Sequence, residues 1–224
     1  MSTNTFLETY KKAERLLQFG EPFLLSYSGG KDSLVILDIL SKVTKEKIDC
    51  LFMYLVPELE VSELYLKTAK ENYNVNIRQI MHWGALQSLQ TGLYCFPQNK
   101  IKTITYNDIL RIELNENGYK YIFNGSKKAD SVHKRRVMAK NKINGLVYLI
   151  EDWNKYDVIA YLKKNNIPIP EQDIATKGIN SSGIGLTHSS LRFIYKNYPN
   201  DFLKIKNYFP FIDASIKREE YYGI

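Results

Sequence analysis

The chain has 224 residues, with 31 lysines and arginines against 24 aspartates and glutamates and a net charge of +7. This length suits one α/β domain with a modest extension and can bury a sizeable core. The basic balance favours anionic partners, either nucleotides or nucleic acid, without distinguishing between them. The first ten residues lack the apolar centre of a signal peptide, and no apolar run approaches membrane-spanning length. We therefore expect a cytoplasmic protein with no membrane partner.

The two cysteines, Cys50 and Cys95, lie far apart and form no C-x-x-C pair. This spacing argues against a disulfide framework, a zinc site and an iron–sulfur cluster. We expect two reduced thiols, and neither zinc nor an iron–sulfur cluster as a cofactor.

Predicted strands and helices alternate along most of the chain. Nearly continuous apolar runs, of the kind found in strands that are covered on both faces, alternate with segments of helical periodicity. Strands are predicted from Phe23 and at 48–55, 75–81, 119–124 and 146–150, and helices at 6–19, 59–72, 83–90 and 107–115. This order implies a doubly wound, mostly parallel sheet with right-handed crossovers. Ligands of such sheets bind beyond the carboxyl ends of the strands.

The segment after the first predicted strand has the composition of a phosphate-binding loop. The apolar run from Phe23 ends in small residues and then becomes helix-periodic, which predicts a strand, a tight turn and a helix that begins near Ser33. Glycines allow successive amides to converge on phosphate oxygens, and a helix N-terminus adds unpaired N–H groups. The predicted nucleotide-binding residues here are Ser26, Tyr27, Ser28, Gly29, Gly30, Lys31, Asp32 and Ser33. Asp32 could hold Mg²⁺ or could simply be a carboxylate at the helix N-terminus.

A second glycine turn follows the strand predicted at 119–124. Gly125 and the eleven residues after it include five cations: Lys127, Lys128, Lys134, Arg135 and Arg136. Arginines can clamp phosphate or sulfate with two hydrogen bonds each. Composition alone leaves open whether this segment is an anion site or a solvated basic loop.

Three ordered segments resemble one superfamily. Residues 28–33, Ser-Gly-Gly-Lys-Asp-Ser, are similar to the S-G-G-x-D-S pyrophosphate loop, or PP-loop, of the adenine nucleotide alpha-hydrolase superfamily. That superfamily includes the N-type ATP pyrophosphatases and the phosphoadenosine phosphosulfate (PAPS) reductase family. Residues 125–131 resemble the G-x-R-x-x-[DE]-S segment of the PAPS reductases, with Lys127 in place of the arginine.

The third segment begins at Trp153 and resembles the W-x-x-x-D-V-x-x-Y-[IL] motif of the same family. We expect Trp153 and Asp157 to be scaffold residues, with Asn154 capping the following helix. The resemblance covers roughly residues 20 to 170 and implies an adenine nucleotide alpha-hydrolase-like α/β fold. We expect an adenine-nucleotide-binding domain at 1–170 and a C-terminal loop and helical extension at 171–224 packed on it. In the extension, a small-residue loop is predicted at 178–186 and helices at 188–198 and 202–222.

The resemblance to the reductases ends at their catalytic cysteine, because this chain has no cysteine after Cys95. Sulfonucleotide reduction needs a thiolate that attacks sulfur. The leading hypothesis is therefore an ATP pyrophosphatase or adenylyl transferase that uses ATP or a related adenine nucleotide with Mg²⁺. It would transfer AMP to an unidentified acceptor and release pyrophosphate. The predicted catalytic residues are Lys31, Asp32, Lys127, Arg135 and Arg136, and Gly125 and Ser131 are added to the nucleotide-binding set.

Two alternatives stay open at this stage. One is sulfonucleotide reduction with a thiol supplied from elsewhere, and the other is a nucleotide- or nucleic-acid-binding module without turnover. A homo-oligomer is also compatible with the sequence. The histidines His82, His133 and His188 do not have a metal-ligand spacing, so we expect loop or capping roles for them.

Overall fold

The computed structural model describes residues 3–140, 143–175 and 184–222. The strands are β1 (Phe23–Ser26), β2 (Ile48–Tyr54), β3 (Val75–Met81), β4 (Tyr121–Asn124) and β5 (Leu146–Tyr148). The helices are α1 (Thr3–Leu17), α2 (Lys31–Val43), α3 (Glu60–Asn72), α4 (Trp83–Thr91), α5 (Tyr106–Asn115), α6 (Val132–Lys140), α7 (Lys155–Lys164), α8 (Glu171–Ala175), α9 (His188–Asn197), α10 (Pro199–Tyr208) and α11 (Asp213–Tyr222). Across these ranges, every helix is too short or too polar to span a bilayer.

The five strands form one parallel sheet in the order β3-β2-β1-β4-β5. In the centre of the sheet, Leu25 of β1 is aligned with Cys50 of β2 and Phe123 of β4. The chain order reverses between β1 and β4, which creates a crevice at the carboxyl ends of these two strands. The arrangement confirms the predicted doubly wound parallel sheet.

Alternation along the strands separates the two faces of the sheet. Phe23 and Leu25 belong to the apolar cluster shared with α1, α2, α3 and α7, whereas Leu24 belongs to the cluster shared with α5. Successive side chains of a strand point to opposite faces, so a continuous apolar run serves both clusters. The helices therefore cover both faces and leave the strand ends for a site.

The segment before α7 has the scaffold role predicted for it. The Asn154 side chain accepts hydrogen bonds from the amides of Tyr156 and Asp157, and the Asp157 carboxylate accepts one from the amide of Asn154. The Trp153 indole donates to Thr9 Oγ1 at 3.0 Å. This segment fixes α1 and α7 to the sheet rather than contributing to a binding cleft.

The chain after residue 170 differs from the prediction in two places, since the short helix α8 was not predicted and the last predicted helix is divided. The single helix predicted at 202–222 is wrong, since α10 ends at Tyr208 and α11 begins at Asp213. Pro210 disfavours helical conformation at the residue before it, and Phe209 has φ −128° and ψ 72°. Most of the loop predicted at 178–186 lies outside the described residues.

Helices α9 and α10 pack on α3, α4 and the segment after β2 through a third apolar cluster. This cluster joins Leu191, Ile194 and Ile205 to Val61 and Leu89 of the main fold. The Asp201 carboxylate of α10 is 1% exposed and accepts hydrogen bonds from the amides of Glu60 and Val61, at 2.8 and 2.9 Å. Asp201 thus caps the N-terminus of α3 from a distant part of the chain.

His82 is a capping residue, as predicted. Its Nδ1 accepts a hydrogen bond from the amide of Gly84 at 3.0 Å, at the N-terminus of α4. Burial lowers the pKa of the imidazole below its ordinary value. The native state therefore holds His82 neutral, which is the form that can accept this bond.

We expect the stability of the protein to fall as the pH drops below about 6.5, the ordinary pKa of histidine. The unfolded chain then binds a proton that folded His82 resists, so the contribution of His82 is present above that pH and is lost towards its lowered folded pKa. In His82→Asn the amide oxygen keeps the cap but does not titrate. Denaturant unfolding between pH 7 and 5 should show a weaker pH dependence for this variant. His133→Asn, at an exposed position of α6, is the control and should retain the wild-type slope. An unchanged slope in His82→Asn would contradict the assignment.

Candidate nucleotide-binding site

A cleft of about 250 Å³ lies at the carboxyl ends of β1 and β4. Six of the predicted nucleotide-binding residues line it: Ser26, Tyr27, Ser28, Asp32, Ser33 and Gly125. The side of the cleft towards β2 and α4 is formed by Phe52, His82 and Trp83. The two segments predicted to share a ligand therefore meet at one crevice.

The loop after β1 makes a tight turn into α2. Gly29 has φ +75°, and a Cβ atom there would lie 2.9 Å from the Tyr65 ring, so only glycine fits. The Ser33 hydroxyl donates to the carbonyl of Gly30 at 2.9 Å and accepts from the amide of Ser28 at 3.2 Å. Helix α2 begins at Lys31 directly after this turn, two residues earlier than predicted.

Gly125 brings the second turn against the first. A Cβ atom at Gly125 would lie 3.3 Å from both the Cβ of Asp32 and the amide nitrogen of Ser33. The backbone after β4 therefore passes directly over the first turn of α2. This close approach places the residues after Gly125 beside the predicted phosphate-binding loop.

Asp32, Lys127 and Asp130 form a charge cluster between the two turns. Lys127 is 1% exposed, and its Nζ lies 2.6 Å from Asp32 Oδ2 and 3.0 Å from Asp130 Oδ1. These contacts are close ion pairs whose angles do not meet the criteria for hydrogen bonds. The other carboxylate oxygen of Asp32, Oδ1, is buried without a hydrogen-bond partner among the described residues. Burial alone would raise the pKa of Asp130. The charge of Lys127, the hydrogen bond from the Lys127 amide and the charge of Lys134 outweigh burial and bring this pKa below its ordinary value. Asp130 is thus a carboxylate near neutral pH.

Asp173 of α8 binds the start of α2. Its Oδ2 accepts the amide of Lys31 at 2.8 Å, and its Oδ1 accepts Lys31 Nζ at 3.0 Å. Both side chains are buried, at 3% and 5% residue exposure. An N–H at a helix N-terminus together with a lysine ammonium is a combination that binds phosphate oxygens. The carboxylate of Asp173 therefore binds the two donors of Lys31 that the sequence analysis assigned to phosphate.

A polar network of uncharged groups extends along the floor of the cleft. The amide nitrogen of Asn124 donates to the Tyr106 hydroxyl at 2.6 Å, and that hydroxyl donates to Ser26 Oγ at 3.3 Å. Burial raises the pKa of the Tyr106 phenol, although its hydrogen bonds to Ser26 and Asn124 partly oppose this effect. Tyr106 remains a neutral donor and acceptor that fixes the ends of β1 and β4.

Other predicted site residues lie outside the cleft. Arg135 and Arg136 are exposed on α6, and neither lines the cleft. No helix is predicted in this segment from the sequence. Ser131 lies before α6, where its hydroxyl accepts from the amide of Lys134 at 3.0 Å. Gly29, Gly30 and Lys31 form the turn beneath Tyr65 and Asp173 rather than the cleft lining.

Sequence reasoning missed Asp173, Tyr65 and Tyr106. Asp173 follows a proline in a short acidic segment, and the contact that it makes joins residues 142 positions apart. Tyr65 belongs to an ordinary amphipathic helix, and Tyr106 is the first residue of another. None of the three carries a local pattern that predicts its contact with the loop.

Both thiols are buried in apolar clusters away from the cleft lining. Cys50 on β2 is 1% exposed, and burial together with the nearby charge of Asp49 raises its pKa to about 12. Cys95 is 5% exposed, and burial raises its pKa as well. Neither supplies a thiolate at neutral pH. Among the residues that the structure describes, no group of three histidine, cysteine or acidic side chains forms a metal site.

Replacing Asp173 by asparagine should destabilise the free protein and strengthen anion binding. Loss of the buried carboxylate removes the nearer of two charge partners of Lys31 and leaves Asp32 at 3.5 Å. This loss costs about 3 kcal/mol, and pyrophosphate can replace the lost partner. In thermal unfolding, Asp173→Asn should start from a lower Tm and show a larger pyrophosphate-induced rise than the wild type.

Asp201→Asn is the matched control, because Asp201 caps α3 from the same extension but lies on another helix. It should lower the Tm and leave the pyrophosphate-induced rise at the wild-type value. Equal rises in wild type and Asp173→Asn would contradict the assignment of an anion position at Lys31.

Three solved structures align with most of the chain. The NH3-dependent NAD synthetase from Campylobacter jejuni, in complex with nitrate, aligns with a TM-score of 0.50 over 96% of both chains at 14% identity. The phosphoadenylyl-sulfate reductase from Candida auris, in a phosphate complex, aligns at 0.49 over 82% of this chain and 95% of its own at 17% identity. The U34-tRNA thiolase from Methanococcus maripaludis, with a [4Fe-4S] cluster, aligns at 0.47 over 93% and 79% at 14% identity.

At these identities the likeness concerns the fold alone. A search of curated protein sequences gives no match. A family profile described as the phosphoadenosine phosphosulfate reductase domain matches residues 22–185, which include both turns of the cleft and the scaffold segment before α7. The chain therefore belongs to the phosphoadenosine phosphosulfate reductase domain family.

Proposed function

We propose that the chain binds ATP or a related adenine nucleotide in the cleft and cleaves it at the α-phosphate. AMP passes to an acceptor, and pyrophosphate is released. The observation that carries this proposal is the predicted phosphate-binding loop, which lies beside the buried Asp32–Lys127 ion pair. In addition, both thiols of the chain are buried. The family match supports nucleotide binding in general.

Pyrophosphate would be held by the turn at Gly29 and the N-terminus of α2. The amide of Lys31 and its ammonium are the two donors that now bind Asp173. When pyrophosphate oxygens replace that carboxylate, the same donors hold the leaving group, and the helix dipole favours its charge.

Asp32 fits the role of a Mg²⁺ ligand. Its Oδ1 is a buried carboxylate oxygen without a hydrogen-bond partner in the described chain, although Oδ2 is paired with Lys127. Mg²⁺ in nucleotide sites takes one or two carboxylates, phosphate oxygens and water. Bound there, Mg²⁺ would neutralise part of the phosphate charge.

We assign the role of offsetting charge that develops during transfer to Lys127, which lies behind the cleft lining against Asp32. The acceptor forms a bond to the α-phosphorus as the bond to the bridging oxygen breaks, and the electron pair leaves with pyrophosphate. A cation fixed in a buried site stabilises this charge more than one in water does. Arg135 and Arg136 contribute less to this proposal, because both are exposed on α6.

A second candidate is reduction of a sulfonucleotide, which the family match favours. Because Cys95 is only 5% exposed, the thiol in that reaction would have to come from another molecule. A nucleotide-binding module without turnover is the third. In each case we assign the nucleotide-binding domain to residues 1–170 and the extension to residues 171–224. We also propose a cytoplasmic location, and a homo-oligomer is compatible with all three candidates.

The reaction can be tested with ATP, Mg²⁺ and a panel of candidate acceptors. We expect AMP and pyrophosphate in equal amounts, and Asp32→Asn should lower the rate by about 100-fold or more, since it removes a charge at the phosphates. Asp38→Asn is the matched control on the same helix, because Asp38 binds Tyr161 and Lys42 instead; its rate should stay within a few-fold of wild type.

Parallel reactions with phosphoadenosine phosphosulfate or adenosine phosphosulfate and an external dithiol separate the alternatives. Sulfite release that persists in Cys95→Ser would favour reduction with a borrowed thiol. Nucleotide binding without any product over hours would favour the module. No turnover together with no ATP-induced thermal shift would overturn all three.

Gly29→Ala should abolish nucleotide binding, because the methyl group at φ +75° meets the Tyr65 ring. Gly118→Ala is the matched control: its φ is +77°, but nothing lies within 4 Å of the added carbon. Both variants should lose about 1–2 kcal/mol of stability from the left-handed backbone, and Gly29→Ala should lose more because its methyl group contacts Tyr65. In calorimetric titration with ATP, only Gly29→Ala should show no binding. Binding by Gly29→Ala at wild-type affinity would contradict the proposed site.

A further inference from the structure

A larger cavity, of about 920 Å³, adjoins the nucleotide cleft. It lies between α5, α6 and the ends of β4 and β5. Four residues line both spaces: Tyr106, Asn124, Ser126 and Lys134. A ligand in the larger cavity would therefore reach the cleft directly.

The lining of this cavity is strongly basic. Its basic residues are Arg111, His133, Lys134, Arg136 and Lys140, and none of its described lining residues is an aspartate or glutamate. The nearest acidic partners lie outside the lining: Asp108 is 3.6 Å from Arg111, and Asp130 is 3.0 Å from Lys134. The cavity as a whole therefore favours an anionic ligand.

The basic residues form a row rather than a pocket. His133, Arg136 and Lys140 recur at intervals of three and four along α6, so they share a face of the helix over about 10 Å. All three are exposed, and α6 has no buried residue. A compact anion is held best by cations that converge on it, whereas a row of exposed cations suits phosphates spaced along a chain.

Uncharged residues complete the lining, and six of them are apolar: Leu110, Leu114, Val137, Met138, Ile143 and Leu146. Tyr106 and Tyr148 present aromatic rings, and Asn107, Asn115 and Asn144 present amides. Aromatic rings stack on nucleobases, and amides bind their edges, provided that the bases are not already paired in a duplex.

We propose that this cavity and α6 bind single-stranded nucleic acid. The backbone phosphates follow the row on α6, and an unpaired base enters the cavity beside the nucleotide cleft. The recognising chemistry is shared by RNA and DNA single strands. This binding does not depend on adenylyl transfer and is a separate property of the protein.

The test measures fluorescence anisotropy of labelled 12-nucleotide single strands, one of RNA and one of DNA, with the full chain over a range of salt concentrations. The double variant Arg136→Gln/Lys140→Gln should raise the Kd at least tenfold. It should also reduce the slope of log K against log salt by about 1.4, which is 0.7 for each lost phosphate contact.

The matched control is Lys11→Gln/Lys67→Gln, which removes the same charge from α1 and α3 at exposed positions. It should bind as the wild type does, and circular dichroism should show that both double variants are folded. Equal weakening by the two double variants would overturn the proposal, since binding would then follow net charge alone. So would a 12-base-pair duplex that binds as tightly as the single strands, or no binding of any strand. Tighter binding of either the RNA or the DNA strand would support the site and would identify which of the two nucleic acids is its ligand.

Discussion

An alternating string of five charged side chains, four of them buried, holds the two turns of the cleft together. It passes from Asp173 to Lys31, Asp32, Lys127 and Asp130, with nitrogen–oxygen separations of 3.0, 3.5, 2.6 and 3.0 Å. Buried charges are tolerated when each has a partner, and removal of one leaves its neighbour exposed to the full cost of desolvation. The first turn of α2, the segment after β4 and the helix α8 are therefore constrained as one unit.

The location of the site could be predicted from the sequence, because its signals are local. Gly29 and Gly125 each follow an apolar run, and alternating elements predict that the two strand ends meet at the same edge of a parallel sheet. Asp173 could not be predicted, because its partner Lys31 is distant in the chain and no periodicity links them. The part of the site that depends on tertiary contacts was thus beyond local patterns.

The basic segment after β4 shows the same limit in another form. Its composition indicated cations near a ligand, but only the fold separates a buried Lys127 from arginines on the exposed surface of α6. A lysine ammonium is compact enough to lie between Asp32 and Asp130, where the wide planar fork of an arginine would need more room. Lys127 stands where the similar motif of the reductases has an arginine. In this chain the lysine forms an internal ion pair, so the difference is more than a loss of anion affinity.

In the proposed binding mode, the contact of Asp173 with Lys31 would couple ligand affinity to the position of α8. A nucleotide that needs the donors of Lys31 binds only when the carboxylate has moved away, so its apparent Kd equals the intrinsic Kd divided by the fraction of molecules in that state. Asp201 fastens the other end of the extension to α3 without touching the loop. In this binding mode, substitutions on the outer surface of α8 would change the affinity of the cleft without contacting the nucleotide. Affinity would then vary among related sequences independently of the residues that carry out the chemistry.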